Sequence, residues 1–182
     1  MEQIEYLNKY EKDLQLHLLL MLTSQGKLQG QLLESDDLAE MWEKVAPYYL
    51  QDAVKEIADY PNVALGWAMY LGMAVARYWD EDWAYYSKMN LYEVLRDKRG
   101  FDYMDEEIRQ KVLGMGGEEF TNCEKLVQNC AQQVLNKIRH EQIDPQSPLA
   151  FHTFTRSIHV LYLLGASVEL KRLGYKFEKI EQ

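Results

Sequence analysis

The stretch Pro61–Trp79, PNVALGWAMYLGMAVARYW, decides the fold, because Arg77 is its only charged residue. A proline at the first helical position costs nothing, since its missing N–H would have no intrahelical partner there. A helix that is apolar all round belongs in the middle of a bundle rather than on a surface. Its small residues, Ala64, Ala68, Gly72 and Ala76, recur every four positions and form one smooth row. Trp67, Leu71 and Val75 form a second, bulky row, and Leu65, Met69 and Met73 a third. The smooth row lets a neighbouring helix approach closely, which would offset the helix propensity lost at Gly66 and Gly72, about 1 kcal/mol each. The functional alternative for that row is a cofactor groove. The strongly apolar part, Val63–Ala76, is 14 residues long, short of the roughly 20 that span a bilayer.

The segments around this helix also read at helical period. Residues 3–24 place Ile4, Leu7, Leu14, Leu18 and Met21 or Leu22 on one stripe, as an amphipathic helix requires. After the break SQGKLQG, Ser35 or Asp36 can cap a second helix whose first-turn acids meet the helix dipole. Pro47 should kink that helix or split it into 36–45 and 47–59. A fourth helix is expected from about Asp80 to Asp97, closed near Gly100. A short fifth spans 105–113 and a sixth 118–143, with Phe120, Cys123, Val127, Cys130, Val134 and Ile138 inward. Ser147 and Pro148 open a seventh, which Gly174 closes, with Phe151, Phe154, Ile158, Leu161, Gly165 and Val168 as its seam. No hairpin signal, sustained alternation or repeat is present. The expected fold is all-α: one domain over 1–182, a bundle of six to seven helices around helix 61–79 and the first half of helix 148–173.

The net charge is −9, from 20 basic and 29 acidic residues. Residues 145–182 are slightly basic, through Arg156, Lys171, Arg172, Lys176 and Lys179, so the rest of the chain is more acidic than the total. Such a surface repels phosphate backbones and anionic lipid, and neither nucleic acid nor membrane is expected as a partner. Cys123 and Cys130, seven apart on one helix, would have Cα atoms about 10.5 Å apart, too far for a disulfide. Free thiols and a first segment without a basic, apolar leader point to a cytoplasmic protein.

The acidic run Asp80-Glu81-Asp82 lies between Trp79 and Trp83. It reads either as the cap and first turn of a new helix or as a continuation of helix 61–79 with Arg77 paired to Asp80 or Glu81. Three consecutive acids on a helix point about 100° apart and do not converge on a metal. His152, Arg156 and His159 share one face of the last helix, an anion-hooking groove or a solvated stripe. The two imidazoles, about 10 Å apart along the axis, cannot share one metal. His17 should bond Asp13. His140-Glu141 begins like a zinc-protease motif, but Asp144 stands where the second histidine should be. No Glu-x-x-His pair, Cys-x-x-Cys, nucleophile elbow, Walker loop or dinucleotide fingerprint occurs. GMGGEEF, residues 114–120, sets glycines before a helix, yet Glu118 and Glu119 would repel an anion there.

No catalytic residue, cofactor or metal site is expected. The reading is a non-enzymatic helical binding protein that self-associates or docks to another protein, because Tyr and Trp, dense in residues 42–92, dominate binding hot spots. The alternative is a small-ligand-binding protein or enzyme whose inter-helix site draws on Arg77, Asp80, His152, Arg156 and His159.

Overall fold

Helix α3 (Pro61–Tyr86) lies against α7 (Pro148–Arg172) over more of its length than against any other element. The structure, a computed structural model, describes residues 2–96 and 98–175. Around the α3–α7 pair lie α1 (Glu2–Ser24), α2 (Asp36–Glu56) and α6 (Gly117–His140). Two short helices, α4 (Leu91–Leu95) and α5 (Met104–Glu107), fill the connection between α3 and α6, with a 3₁₀ turn at Phe101–Tyr103 and a π-helical turn at Ile108–Val112. The described residues form seven α-helices and no strand, an all-α bundle.

The apolar segment is the centre of this bundle. Every residue from Ala64 to Ala76 is buried except Trp67, which is half-buried and donates its indole N–H to the Phe101 carbonyl at 3.0 Å. Gly72 of the small-residue row faces α7. A Cβ at Gly72 would strike the Tyr162 carbonyl oxygen and stand 2.9 Å from Ala166 N, and a Cβ at Gly165 would strike the Met69 carbonyl oxygen. Each helix has therefore set a glycine against the other's backbone, and no side chain fits between them.

Buried side-chain bonds tie α2 and the segment before it to this crossing, while Tyr70 Oη on α3 is enclosed without a partner. Tyr162 donates to the Leu38 carbonyl at 2.7 Å and Tyr49 to the Ala64 carbonyl at 2.6 Å. Ser167 Oγ donates to the Leu33 carbonyl and accepts from the Leu33 N–H, pinning the segment before α2 onto α7. Such bonds matter because a buried polar group left unpaired costs about 1–3 kcal/mol.

The structure corrects several expectations. α2 runs through Pro47 without a break, capped by Ser35, which accepts from the Asp37 N–H. α3 continues past Trp79 to Tyr86, the second of the two readings of the acidic run, with Arg77 bonded to Glu81, and only Asp82 leaves the helical conformation, with extended backbone at φ −167. Asp82 Oδ1 then accepts from the Tyr85 N–H and restarts the last turn. No helix spans 80–97; α4 is one turn and a half, because Asn90 caps it only at Leu91. The helix expected over 105–113 becomes α5 and the π turn, and α6 stops at His140 rather than Ile143. Ile4 and Phe151, placed on buried stripes, are 58% and 46% exposed, each in the first turn of its helix. His17 bonds Gln133 of α6 at 3.3 Å, while Asp13 is taken by Lys9. Both cysteines are free and buried. No helix among the described residues is long and apolar enough to cross a membrane.

Candidate functional site

Several clefts open between the helices, and two of them are lined by carboxylates. The larger, about 770 Å³, lies where the start of α2 meets α7 and the later part of α3. Ser35 ends the preceding segment there, and the first-turn acids Asp36 and Asp37 follow it. Asp37 does more than meet the helix dipole: its Oδ2 accepts the Trp79 indole N–H at 2.9 Å and fixes that ring as one wall. Trp79 in turn packs against Tyr175, with ring centres 5.4 Å apart, and Tyr175 donates its hydroxyl to Asp80 Oδ1 at 2.7 Å. Donating to the Asp80 carboxylate raises the Tyr175 phenol above its ordinary value, with burial adding to the effect.

The lining therefore joins two carboxylate-anchored aromatics to Glu34, Asp36 and Asp37, and none of the described lining residues is a lysine or arginine. Lys176 and Lys179, which follow Tyr175 in sequence, lie outside the described residues.

His159 lines the same cleft from α7 and stacks on Trp42 of α2 at 5.5 Å between centres. Its Nδ1 shares a bond of 2.8 Å with Glu11 Oε1 of α1, while Arg156 Nη1 donates to Glu11 Oε2 at 2.7 Å and to Asn8 at 2.9 Å. Burial pushes the Glu11 carboxyl up, but the bonds from His159 and Arg156 outweigh it, and Glu11 sits below the ordinary glutamate value. This clamp fixes α7 to α1 and fixes the imidazole at the cleft edge.

The smaller cleft, about 470 Å³, lies between α6 and α7 under the loop after the π turn. Its walls include Met73, Met115, Glu119, Cys123, Glu169 and Arg172. Glu169 is 1% exposed and is bonded by Arg172 at 2.6 and 3.0 Å. Burial still raises Glu169 above the usual carboxylate range, with Arg172 and Arg77 opposing. Beside this cleft, Arg109 is also 1% exposed, held by Asp105 at 2.9 Å, Glu124 at 3.1 Å and the Phe120 carbonyl, with its guanidinium 3.7 Å from the Phe120 ring centre.

The five residues proposed from sequence are thus distributed. His159 lines the larger cleft, Asp80 anchors its Tyr175 wall, and Arg156 reaches His159 through Glu11. Arg77 is paired with Glu81 at 2.9 Å and His152 is exposed beside Phe151, both outside the lining of that cleft. Sequence reasoning passed over Glu11, Asp37, Tyr175 and Arg109. Asp37 looked like a dipole acid, and nothing in the spacing of Glu11 or Tyr175 announces a partner more than ninety residues away. Among the described residues, no group of three or more His, Cys, Asp and Glu side chains could hold a metal ion. Compared with family models, curated proteins and solved structures, the chain matches none of them.

Proposed function

We propose that this protein acts by binding rather than catalysis, and that the larger cleft receives a lysine or arginine side chain from a partner protein. The observation that carries this reading is the lining itself: Trp79 and Tyr175, each held by a carboxylate, stand beside Glu34, Asp36 and Asp37. A cation over an aromatic face gains about 0.5–2 kcal/mol, and carboxylates at the rim steer a basic partner toward it. The engaged hydroxyls and imidazole of the lining support the choice against catalysis. Ser35 Oγ accepts from Asp37 N–H, Tyr175 donates to Asp80, and His159 Nδ1 is engaged with Glu11.

The test is anisotropy of a labelled lysine-rich peptide, at low and physiological salt. The E34Q/D36N double variant should weaken binding about tenfold, equivalent to roughly 1.4 kcal/mol. The E56Q/D59N variant removes the same charge at the opposite end of α2 and should bind as the parent does. Equal loss in both variants, or equal affinity for an acidic peptide, sinks the proposal.

Self-association is the second reading, favoured by Leu16 and Leu20, one turn apart on α1 and 55% and 58% exposed. Light scattering should then give a mass above the 21.5 kDa of one chain, and L16E/L20E should restore the single chain. A parent protein already at that mass removes this reading.

A further inference from the structure

A third groove, about 440 Å³, opens where the first turns of α3 meet the middle of α6, and no carboxylate lines it. Its size falls within the range of small-molecule sites, about 300–1,000 Å³. The lining joins Trp67 to the side-chain amides of Asn62, Gln128 and Gln132, and Lys125 is the one charged residue among the described lining residues. Residues 126–136 of α6 carry no charge at all, although the chain as a whole is 27% charged. The groove is therefore polar and nearly neutral on a strongly acidic protein.

Trp67 sets the floor. Between Ala64 and Ala76 it alone is not buried. Its ring is nevertheless fixed: the indole N–H donates to the Phe101 carbonyl at 3.0 Å, and Tyr70 stands against it at 71° with ring centres 5.3 Å apart. Gly66 beside it lets α6 approach, since a Cβ there would stand 3.1 Å from Val127 Cγ1. The half of Trp67 left to the groove is thus a held, flat apolar surface, at which a ligand has little further order to impose.

The amides are set in a chain across the groove. Asn62 Nδ2 of α3 donates to Gln132 Oε1 at 3.2 Å, and Gln132 Nε2 donates to Asn136 Oδ1 at 2.8 Å. Gln128 Nε2 donates to Glu124 Oε1 at 3.3 Å, which fixes that amide from outside the lining. Each amide carries two N–H donors and a carbonyl acceptor, more than these bonds use. What remains is a row of paired donors and acceptors one ring's breadth from an aromatic surface.

We propose that this groove binds one ring of a neutral sugar, a pyranose whose C–H face lies on Trp67 and whose hydroxyls bond the amides. A hydroxyl donates once and accepts twice, so vicinal hydroxyls match an amide that does both. An aromatic ring suits a ligand that is apolar on one face and wet at its rim. Charge excludes the other classes. A cation would find no carboxylate in the lining, and a multiply charged anion would find only Lys125. In the sequence, Gln128, Gln132 and Asn136 recur every four residues as an uncharged polar stripe, but Trp67 reads as one more bulky core residue.

The experiment titrates the isotope-labelled full chain with the methyl glycosides of glucose, galactose and mannose, following the indole and side-chain amide N–H signals by NMR. At least one glycoside should shift the Trp67, Gln128 and Gln132 signals saturably while the other indoles stay in place. Q128A/Q132A should weaken that binding about tenfold, as the loss of two neutral hydrogen bonds implies. N62A, at an exposed position, gives a second arm and should weaken it in the same direction. Q51A/Q110A removes two exposed amides elsewhere and should bind as the parent does; circular dichroism checks that all variants fold. Sorbitol, which has the hydroxyls of a hexose but no ring, should not saturate over the same range. The disaccharide of the bound pyranose distinguishes the source: tighter binding than the single ring marks a glycan end, and equal or weaker binding a free sugar. No saturable shift with any of the three glycosides, equal loss in both double variants, or binding of adenosine in place of the sugars overturns the assignment.

Discussion

Glu11 illustrates how a single side chain can settle a helix contact that periodicity leaves open. Its lowered ionisation means that the folded protein holds the carboxylate more tightly than the unfolded chain does. A group depressed in the folded state contributes stability above its unfolded pKa and loses it as pH falls through the folded value. Glu11→Gln should therefore destabilise by about 1.5–3 kcal/mol at neutral pH, the range for hydrogen bonds to charged groups. The difference from the parent should shrink to near zero below the lowered Glu11 value, as read from urea midpoints across acid pH. A deficit that persists unchanged in acid would mean that the clamp works through packing rather than charge. Burial pushes Cys123 up to about 11 and Cys130 up to about 12. The thiolate is the reactive form, so a disulfide reagent at pH 8 should modify neither in the folded protein. On gradual unfolding Cys123 should react first, since it alone lines a cleft.

At the scale of elements, the α3–α7 crossing yields a sharp contrast between glycines. Gly72→Ala and Gly165→Ala each drive a methyl into the facing backbone, which cannot rotate away. Overpacking of this kind costs about 1–3 kcal/mol and sometimes more, and both variants should show large drops in urea midpoint or fail to fold. Gly66→Ala meets only Val127 Cγ1 at 3.1 Å, a side chain able to give. Its gain in helix propensity, about 1 kcal/mol, should leave it close to the parent.

The small-residue row was legible because Ala64, Ala68, Gly72 and Ala76 share one period on an otherwise bulky helix. The facing Gly165 was placed on a seam but not paired with it, since nothing in one strand of letters says which helix will fill a groove. The end of α3 was read less well for a similar reason. Asp82 can cap a turn either by starting a new helix or by restarting an old one, and the local residues are the same in both cases. The candidate site was the least legible part. Its acids look like helix-start chemistry, and their second use, holding Trp79 and Tyr175, exists only once α7 returns.

Across the whole molecule, negative charge gathers away from the clefts as well. Glu56, at the far end of α2 from Asp37, is raised by burial and then by Asp102, Asp59 and Asp52. A carboxylate raised in the folded state loses stability as pH climbs through its value. E56Q should therefore raise the urea midpoint at neutral pH, with no gain in acid. The gain should fade at about 1 M salt, where screening acts within roughly 3 Å. An unchanged gain in salt would assign it to something other than repulsion among these acids. The crossing of α3 and α7 has one further consequence. The two helices are separated by α4, α5 and α6 in sequence, and a ribosome adds about 5–20 residues per second. For several seconds of synthesis the most apolar segment of the chain has no α7 to cover it. A nascent chain halted before residue 148 should be a good client for chaperones that hold exposed apolar helices, and the released protein a poor one.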